Sequence, residues 1–307
     1  MADPTRSRSA RQLESLCRQF GADSELPFAP LLTAERVEAI LREEEASGRD
    51  CLDTPAVTLW AFLSQCLCPD GSFRKAVARV LAWLIGQGEK ACSAQTGPYC
   101  KARQRLSLSL FTRLTRTTGR DLMEQLPDAW RWRGHRVKLV DGSTVTMPDT
   151  PALQQAFPQQ CQQAPGLGFP IARVLVVFCL ACGSVLDAAL GQYQGKATGE
   201  NKLFRALTDC VEANDVFVGD RFYGSFWELA LLQQRGAYGV FRVHQKRRID
   251  FRSGRRLGRN DHVAAWTKPK SRPAGMDEAT YARLPNLMSV REVRVIVQQR
   301  GLSLIHI

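Results

Sequence analysis

Between Pro127 and Val140 the hydrophobic pattern of the chain changes its period, and that change constrains the fold more than any other feature. On the N-terminal side apolar residues recur every three or four positions. On the C-terminal side they alternate, or gather in short runs bounded by Gly, Asn, Asp and Ser. The first pattern buries one face as an amphipathic helix, the second as a strand. With 307 residues the chain is long enough for both, so a helical part followed by a sheet-based part is expected.

In the helical part, "LTAERVEAILREEEASG" has Thr33 in the N-cap position and runs to Gly48, and "TPAVTLWAFLSQCL" has Thr54 as cap with Pro55 at the first helical position. "SFRKAVARVLAWLIGQG" gathers Phe73, Val77, Val80, Leu81 and Leu84 on one face. "RLSLSLFTRLTRTTGRDLMEQL" places Leu106, Leu110 and Leu114 in one stripe and Arg113, Arg116 and Arg120 close together on a neighbouring face. Charge then matters. Lys and Arg outnumber Asp and Glu by 42 to 30, a formal net charge of +12, which favours a polyanionic partner, nucleic acid first and anionic membrane second. The basic helix faces make residues 26–133 a candidate helical DNA-binding domain, and the polar, Arg- and Ser-rich residues 1–25 a candidate flexible basic tail.

After the switch, strands are expected at about Arg136–Met147, in "GFPIARVLVVFCLA" and in "SVLDAALGQY", the last two joined in a hairpin at Cys182-Gly183-Ser184. "TGENKLFRALTDCVEAN" reads as a helix capped by Thr198. "DVFVGDRFYG" reads as a short buried strand, Val216 to Val218, leading to Asp220. "SFWELALLQQRG" is a helix closed by Gly236, and "AYGVFRVH" is another strand. The order β-β-β-α-β-α-β describes an α/β fold with an RNase H-like mixed sheet over residues 134–244, in which the first and fourth strands are neighbours. Asp141, in the middle of the first strand, and Asp220, at the end of the fourth, would then meet. A carboxylate in a core strand costs several kcal/mol unless it is paired or bound to a cation. Two side by side repel, and a shared divalent metal relieves both.

Ten cysteines are scattered without the paired spacing of a zinc site, and Cys179 lies in an apolar run where a thiol acts as a small hydrophobe. The longest apolar run, Val174 to Leu186, is too short to span a bilayer, and the N-terminus lacks the apolar core of a signal peptide. A cytoplasmic protein with reduced thiols, nucleoid-associated when bound to DNA, is expected.

"LVDGSTVTMPD" and "VFVGDRFYGSFWELALLQQRG" resemble the catalytic core of DDE transposases of insertion sequences, of the insertion-sequence-4 type. That family carries its first Asp in a D-G-[ST]-x-[VLI] strand, matched by Asp141-Gly142-Ser143-Thr144-Val145, and its second in D-R-x-[FY], matched by Asp220-Arg221-Phe222-Tyr223. "GKATGENKLFRAL" is similar to the family's G-E motif ahead of a helix, and the resemblance extends over about residues 30–300. It implies cleavage of double-stranded DNA at transposon ends, followed by attack of the freed 3′-hydroxyl on target DNA by a homodimer. It also implies two Mg2+ (or Mn2+) ions, bridged by Asp141 and with one held by Asp220. Arg221 would hold a phosphate or neutralise Asp220. The basic residues Lys246, Arg247, Arg248, Arg252, Arg255, Arg256 and Arg259 suit phosphate contacts.

The family's third ligand, a Glu in Y-x2-R-x3-E-x6-K, has no match in the sequence. Residues 245–307 resemble the basic β-rich insertion that precedes that Glu. The chain is therefore expected to stop inside the insertion and to be catalytically impaired; the alternative is a non-catalytic DNA-binding remnant or inhibitor. Glu228 follows the second Asp too closely to be the third ligand. Glu200 suits a first-turn residue favouring the helix dipole, or an accessory group of the active site.

Overall fold

The computed structural model describes Ser15 and residues 31–44, 54–88, 93–162, 164, 166–195 and 198–295. The expected N-terminal tail, apart from Ser15, and the last twelve residues, 296–307, lie outside the described residues. The chain forms two compact units, residues 1–118 and 119–307.

The first unit is helical. It contains α1 (Ala34–Glu43), α2 (Pro55–Leu67), α3 (Phe73–Gly86), α4 (Gly97–Arg103) and the first turns of α5 (Leu108–Glu124). Thr33, Thr54 and Ser72 each accept a backbone N–H with their hydroxyls, from Arg36, Val57 and Lys75, and so start α1, α2 and α3. The first helix ends at Glu43, short of the expected Gly48, which lies outside the described residues. The expected stripes are its core: Val77, Val80, Leu84, Leu110 and Leu114 are buried around Trp60 and Trp83, with Phe73, Leu81 and Leu106 packed against them. The short α4 shows no apolar repeat of its own. It is held by Tyr99, whose buried hydroxyl donates to Gln65 Oε1 at 2.7 Å.

The second unit is a mixed α/β structure built on a five-stranded sheet of order β3-β2-β1-β4-β5. The strands are β1 (Arg136–Thr146), β2 (Ile171–Cys179), β3 (Val185–Gln192), β4 (Asp215–Gly219) and β5 (Tyr238–Phe241). β1 pairs antiparallel with β2, and β2 with β3; β1 and β5 each pair parallel with β4. Between β1 and β2 the chain adds α6 (Pro151–Ala156), absent from the expected order. Thr150 caps it and Pro151 opens it, the same pair of signals as Thr54 and Pro55. α7 (Glu200–Ala206) is flanked by Gly199 in the cap position, not Thr198, because the Thr198 hydroxyl already donates to the Gly195 carbonyl at 2.9 Å. α8 (Phe226–Gln234) connects β4 to β5.

One face of this sheet is the core, where Val140, Leu175, Val177 and Phe217 pack against Leu203, Phe204 and Tyr223. Lys138 is 1% exposed on the same face and sits 2.6 Å from Asp215 of β4, itself fully buried. Lys138 also donates to the Cys210 carbonyl at 2.6 Å. Such a pair is tolerated in a core because each charge has a counter-charge and further hydrogen bonds.

A second, antiparallel sheet of order β6-β7-β8 follows, from β6 (Arg255–Gly258), β7 (Asp261–Thr267) and β8 (Leu287–Val293), with α9 (Glu278–Arg283) between the last two. Trp266, Met276, Leu284 and Met288 pack on Phe226, Trp227 and Ala230 of α8, which joins this sheet to the first. No helix among the described residues is long and apolar enough to cross a membrane.

Candidate metal and nucleic-acid site

The parallel register of β1 and β4 runs from Arg136 opposite Asp215 to Val140 opposite Gly219. One residue further along the chain from each of these last two stand Asp141 and Asp220. Neighbouring strands lie about 4.8 Å apart, so the two backbones arrive side by side. Alternation turns Asp141 away from the face on which Val140 is buried, and both acids are exposed. Each uses one oxygen locally: Gly142 N–H donates to Asp141 Oδ1 at 2.9 Å, and Phe222 N–H to Asp220 Oδ1 at 2.7 Å.

Behind the acids, on the core face, lies Glu200 at the first turn of α7. Arg173 of β2 donates to its Oε1 at 2.9 Å, and the Tyr223 hydroxyl to its Oε2 at 3.1 Å. Its carboxylate occupies the space beside Gly142: a Cβ there would lie 2.5 Å from Glu200 Cδ. Tyr223 is fully buried. Burial, then Glu200, and then the charges of Asp220 and Asp141, push its phenol far above the ordinary tyrosine range, so it is a fixed neutral donor. Sequence reasoning misses Arg173 and Tyr223 as partners of Glu200. The signals present are an Arg inside the apolar run "PIARVLVVF" and the aromatic that closes "DRFY".

The remaining candidates divide by what they touch. Arg221 donates to Gln245 Oε1 at 2.8 Å and so ties the turn after β4 to the start of the basic stretch. Lys246, Arg248 and Arg255 are exposed. Arg247 lies over the Trp266 ring, 3.3 Å from its centroid, and reaches Glu292 at 3.3 Å. Arg252 pairs with Asp250 at 3.0 Å, and Arg256 donates to the Gly258 carbonyl at 3.2 Å. In the helical unit Arg113 pairs with Glu43 and Glu44 at the C-terminal end of α1, and Arg116 is half-buried. Arg120, further along α5, is exposed. Glu228 is fully buried, salt-bridged to Arg205 at 2.7 Å.

Among the described residues no group of three or more His, Cys, Asp or Glu side chains is arranged to hold a metal ion. The donor set at Asp141 and Asp220 nonetheless suits Mg2+. That ion takes hard oxygen ligands, keeps several waters, and is commonly bound by one or two carboxylates with substrate phosphates completing the shell. Two exposed carboxylates, each engaged by one backbone amide, meet that requirement; Glu200 is half-buried and tied to Arg173 and Tyr223.

No protein-family model matches the chain. It is similar to the transposase InsG for insertion sequence element IS4 of Escherichia coli (strain K12), with 26% identity over 187 residues, 60% of this chain. The chain covers 41% of that relative's length. A cryo-EM structure of a piggyBac transposase synaptic complex with hairpin DNA aligns with 90% of this chain and 64% of its own at 12% identity; its TM-score of 0.31 is too low to establish a common fold.

Proposed function

We propose that this chain is a DNA transposase of the insertion-sequence-4 type, with an RNase H-like core whose Asp141 and Asp220 hold divalent cations for phosphodiester cleavage. The observation that supports the reading is the register of β1 and β4, whose last pair, Val140 opposite Gly219, stands one residue before each of the two acids. The similarity to an insertion-sequence transposase over 187 residues supports it.

Divalent ions, when bound, stabilise the negative charge that develops on the attacking and leaving oxygens and lower the pKa of a bound water. The chain's own contribution is to fix the ligands and the DNA. Asp141 is held by a strand paired with β2 at Asp141 itself and with β4 up to Val140, and Asp220 by the turn that Phe222 N–H closes onto it. Arg221, anchored by Gln245, stands next to Asp220 and offers its remaining N–H groups to a phosphate. Lys246, Arg248 and Arg255 continue the basic surface as sequence-independent backbone contacts.

The test is nicking of supercoiled plasmid by the 307-residue chain in Mg2+ or Mn2+. Asp141→Asn and Asp220→Asn should each lower the rate by at least about 100-fold, about 2.7 kcal/mol of charge stabilisation, while leaving DNA affinity nearly unchanged. The chain lacks a match to the family's third acid, so the nicking expected is slow; nicking indifferent to both substitutions and to chelator, or a chain that neither nicks nor binds Mn2+ through Asp141, contradicts the reading.

A further inference from the structure

Glu200 is joined to three separate segments that shape the acidic site. Its Oε1 takes Arg173 of β2 at 2.9 Å and its Oε2 takes the Tyr223 hydroxyl at 3.1 Å. Its carboxyl carbon fills the space that a side chain at position 142 would need. Gly142 directly follows Asp141, and Tyr223 closes the turn that begins at Asp220. The Tyr223 ring is itself wedged against Gly219, where a Cβ would lie 2.8 Å from both Tyr223 Cδ2 and Val140 Cγ1. One carboxylate therefore touches the residue next to the first acid and the residue that fixes the turn of the second.

Each Glu200 oxygen already accepts a hydrogen bond, and among the described residues Glu200 forms no cluster of three acids arranged to hold a metal ion. A simple helix-dipole residue needs neither Arg173 nor Tyr223. Mere core filling would not require a carboxylate with two charge-assisted or hydroxyl hydrogen bonds in a partly buried site. We propose that Glu200 is a positioning residue: with Arg173 and Tyr223 it locks the β1 segment and the β4 turn into one frame, and so sets the spacing of Asp141 and Asp220 for divalent cations. The role rests on the metal reading proposed above.

Residues that orient metal ligands from behind typically change metal affinity by about 10–100-fold when removed. Mn2+ binding to the full 307-residue chain, followed by electron paramagnetic resonance of the free ion, reads this directly. Glu200→Ala should weaken Mn2+ binding by about 10–100-fold. Glu200→Gln, which keeps the volume and an acceptor for Tyr223, should recover most of it, and Tyr223→Phe should fall between. Circular dichroism melts of each variant show whether it is folded at the assay temperature, and Gly142→Ala, which pushes the carboxylate aside without removing it, is a second route to the same loss. Folded Glu200→Ala and Gly142→Ala proteins that bind Mn2+ as tightly as the parent chain overturn the role. A parent chain whose Mn2+ binding is unaffected by Asp141→Asn overturns the metal reading itself, and the positioning role with it. The two failures are therefore distinct.

Discussion

At the scale of single residues, the central sheet holds two kinds of carboxylate. Asp141 and Asp220 are exposed and only lightly engaged, by one backbone amide each. Asp215, at the start of β4 and five residues before Asp220, is fully buried and saturated: Lys138 at 2.6 Å, Arg136 at 2.9 Å and the Glu212 N–H at 2.7 Å all reach it. Removing one member of such a pair leaves a buried charge uncompensated, at a cost of about 3–5 kcal/mol. Asp215→Ala is expected to lower the unfolding free energy of the sheet unit by that amount in a urea titration; a loss below about 1 kcal/mol would place the pair among solvent-screened ones. The exposed acids are legible in the sequence because a carboxylate inside an apolar strand and another at a strand end are anomalies a reader can see. Their supports are not. Arg173 meets Glu200, and Lys138 meets Asp215, only through strand register and helix placement, which no local pattern encodes.

At the scale of elements, local chemistry explains most boundaries. Thr33 and Thr54 cap α1 and α2 as their sequence positions imply, and the neighbours of β1 follow from short connections and parallel pairing across α7. The helix α6 escapes a reading by periodicity although Thr150 and Pro151 announce it, because six residues are too few for an apolar period to emerge. The three-stranded sheet contains a feature that only pairing reveals. His262 of β7 is buried, with one ring nitrogen 2.6 Å from the Ser253 carbonyl and the other 2.8 Å from Glu292 of β8, so both nitrogens face acceptors and the surroundings favour the doubly protonated ring. Burial works against that charge, but the Ser253 and Glu292 hydrogen bonds with the nearby charges of Glu292 and Asp250 outweigh it, and the pKa is raised. The folded state holds the proton more tightly than the unfolded chain does. Its contribution is complete below the unfolded value, about 6.5, and fades as pH rises through the raised folded value. Hydrogen exchange of the β7 and β8 amides should accordingly show falling local stability as pH climbs above about 6.5, once corrected for intrinsic exchange, and His262→Gln should flatten the trend. A rise in stability across that window would contradict the assignment.

At the scale of the whole molecule, the net charge of +12 is not evenly available to DNA. Arg113, Arg247 and Arg252 are tied to acidic partners, whereas Lys246, Arg248 and Arg255 stand exposed on the stretch that Gln245 links to Arg221. Each phosphate that is no longer neutralised should reduce the slope of log affinity against log salt by about 0.9. Replacing Lys246, Arg248 and Arg255 together by Ala is thus expected to flatten that slope by about 2–3 in fluorescence anisotropy titrations with duplex DNA, while Arg252→Ala changes it little. Sequence alone presents Lys246, Arg247, Arg248, Arg252 and Arg255 as one basic run, since ion pairing within the run depends on the fold of residues 244–295. The claim on which the function depends is that Asp141 and Asp220 grip the same divalent ions, and Fe2+ substituted for Mg2+ tests it most directly, because hydroxyl radicals made at bound iron from added hydrogen peroxide and ascorbate cut the nearest backbone. Cuts close to both Asp141 and Asp220, suppressed together by excess Mg2+ and by Asp141→Asn, are the expected result. Cuts at only one of the two, or a pattern indifferent to Mg2+ and to the substitution, would contradict it.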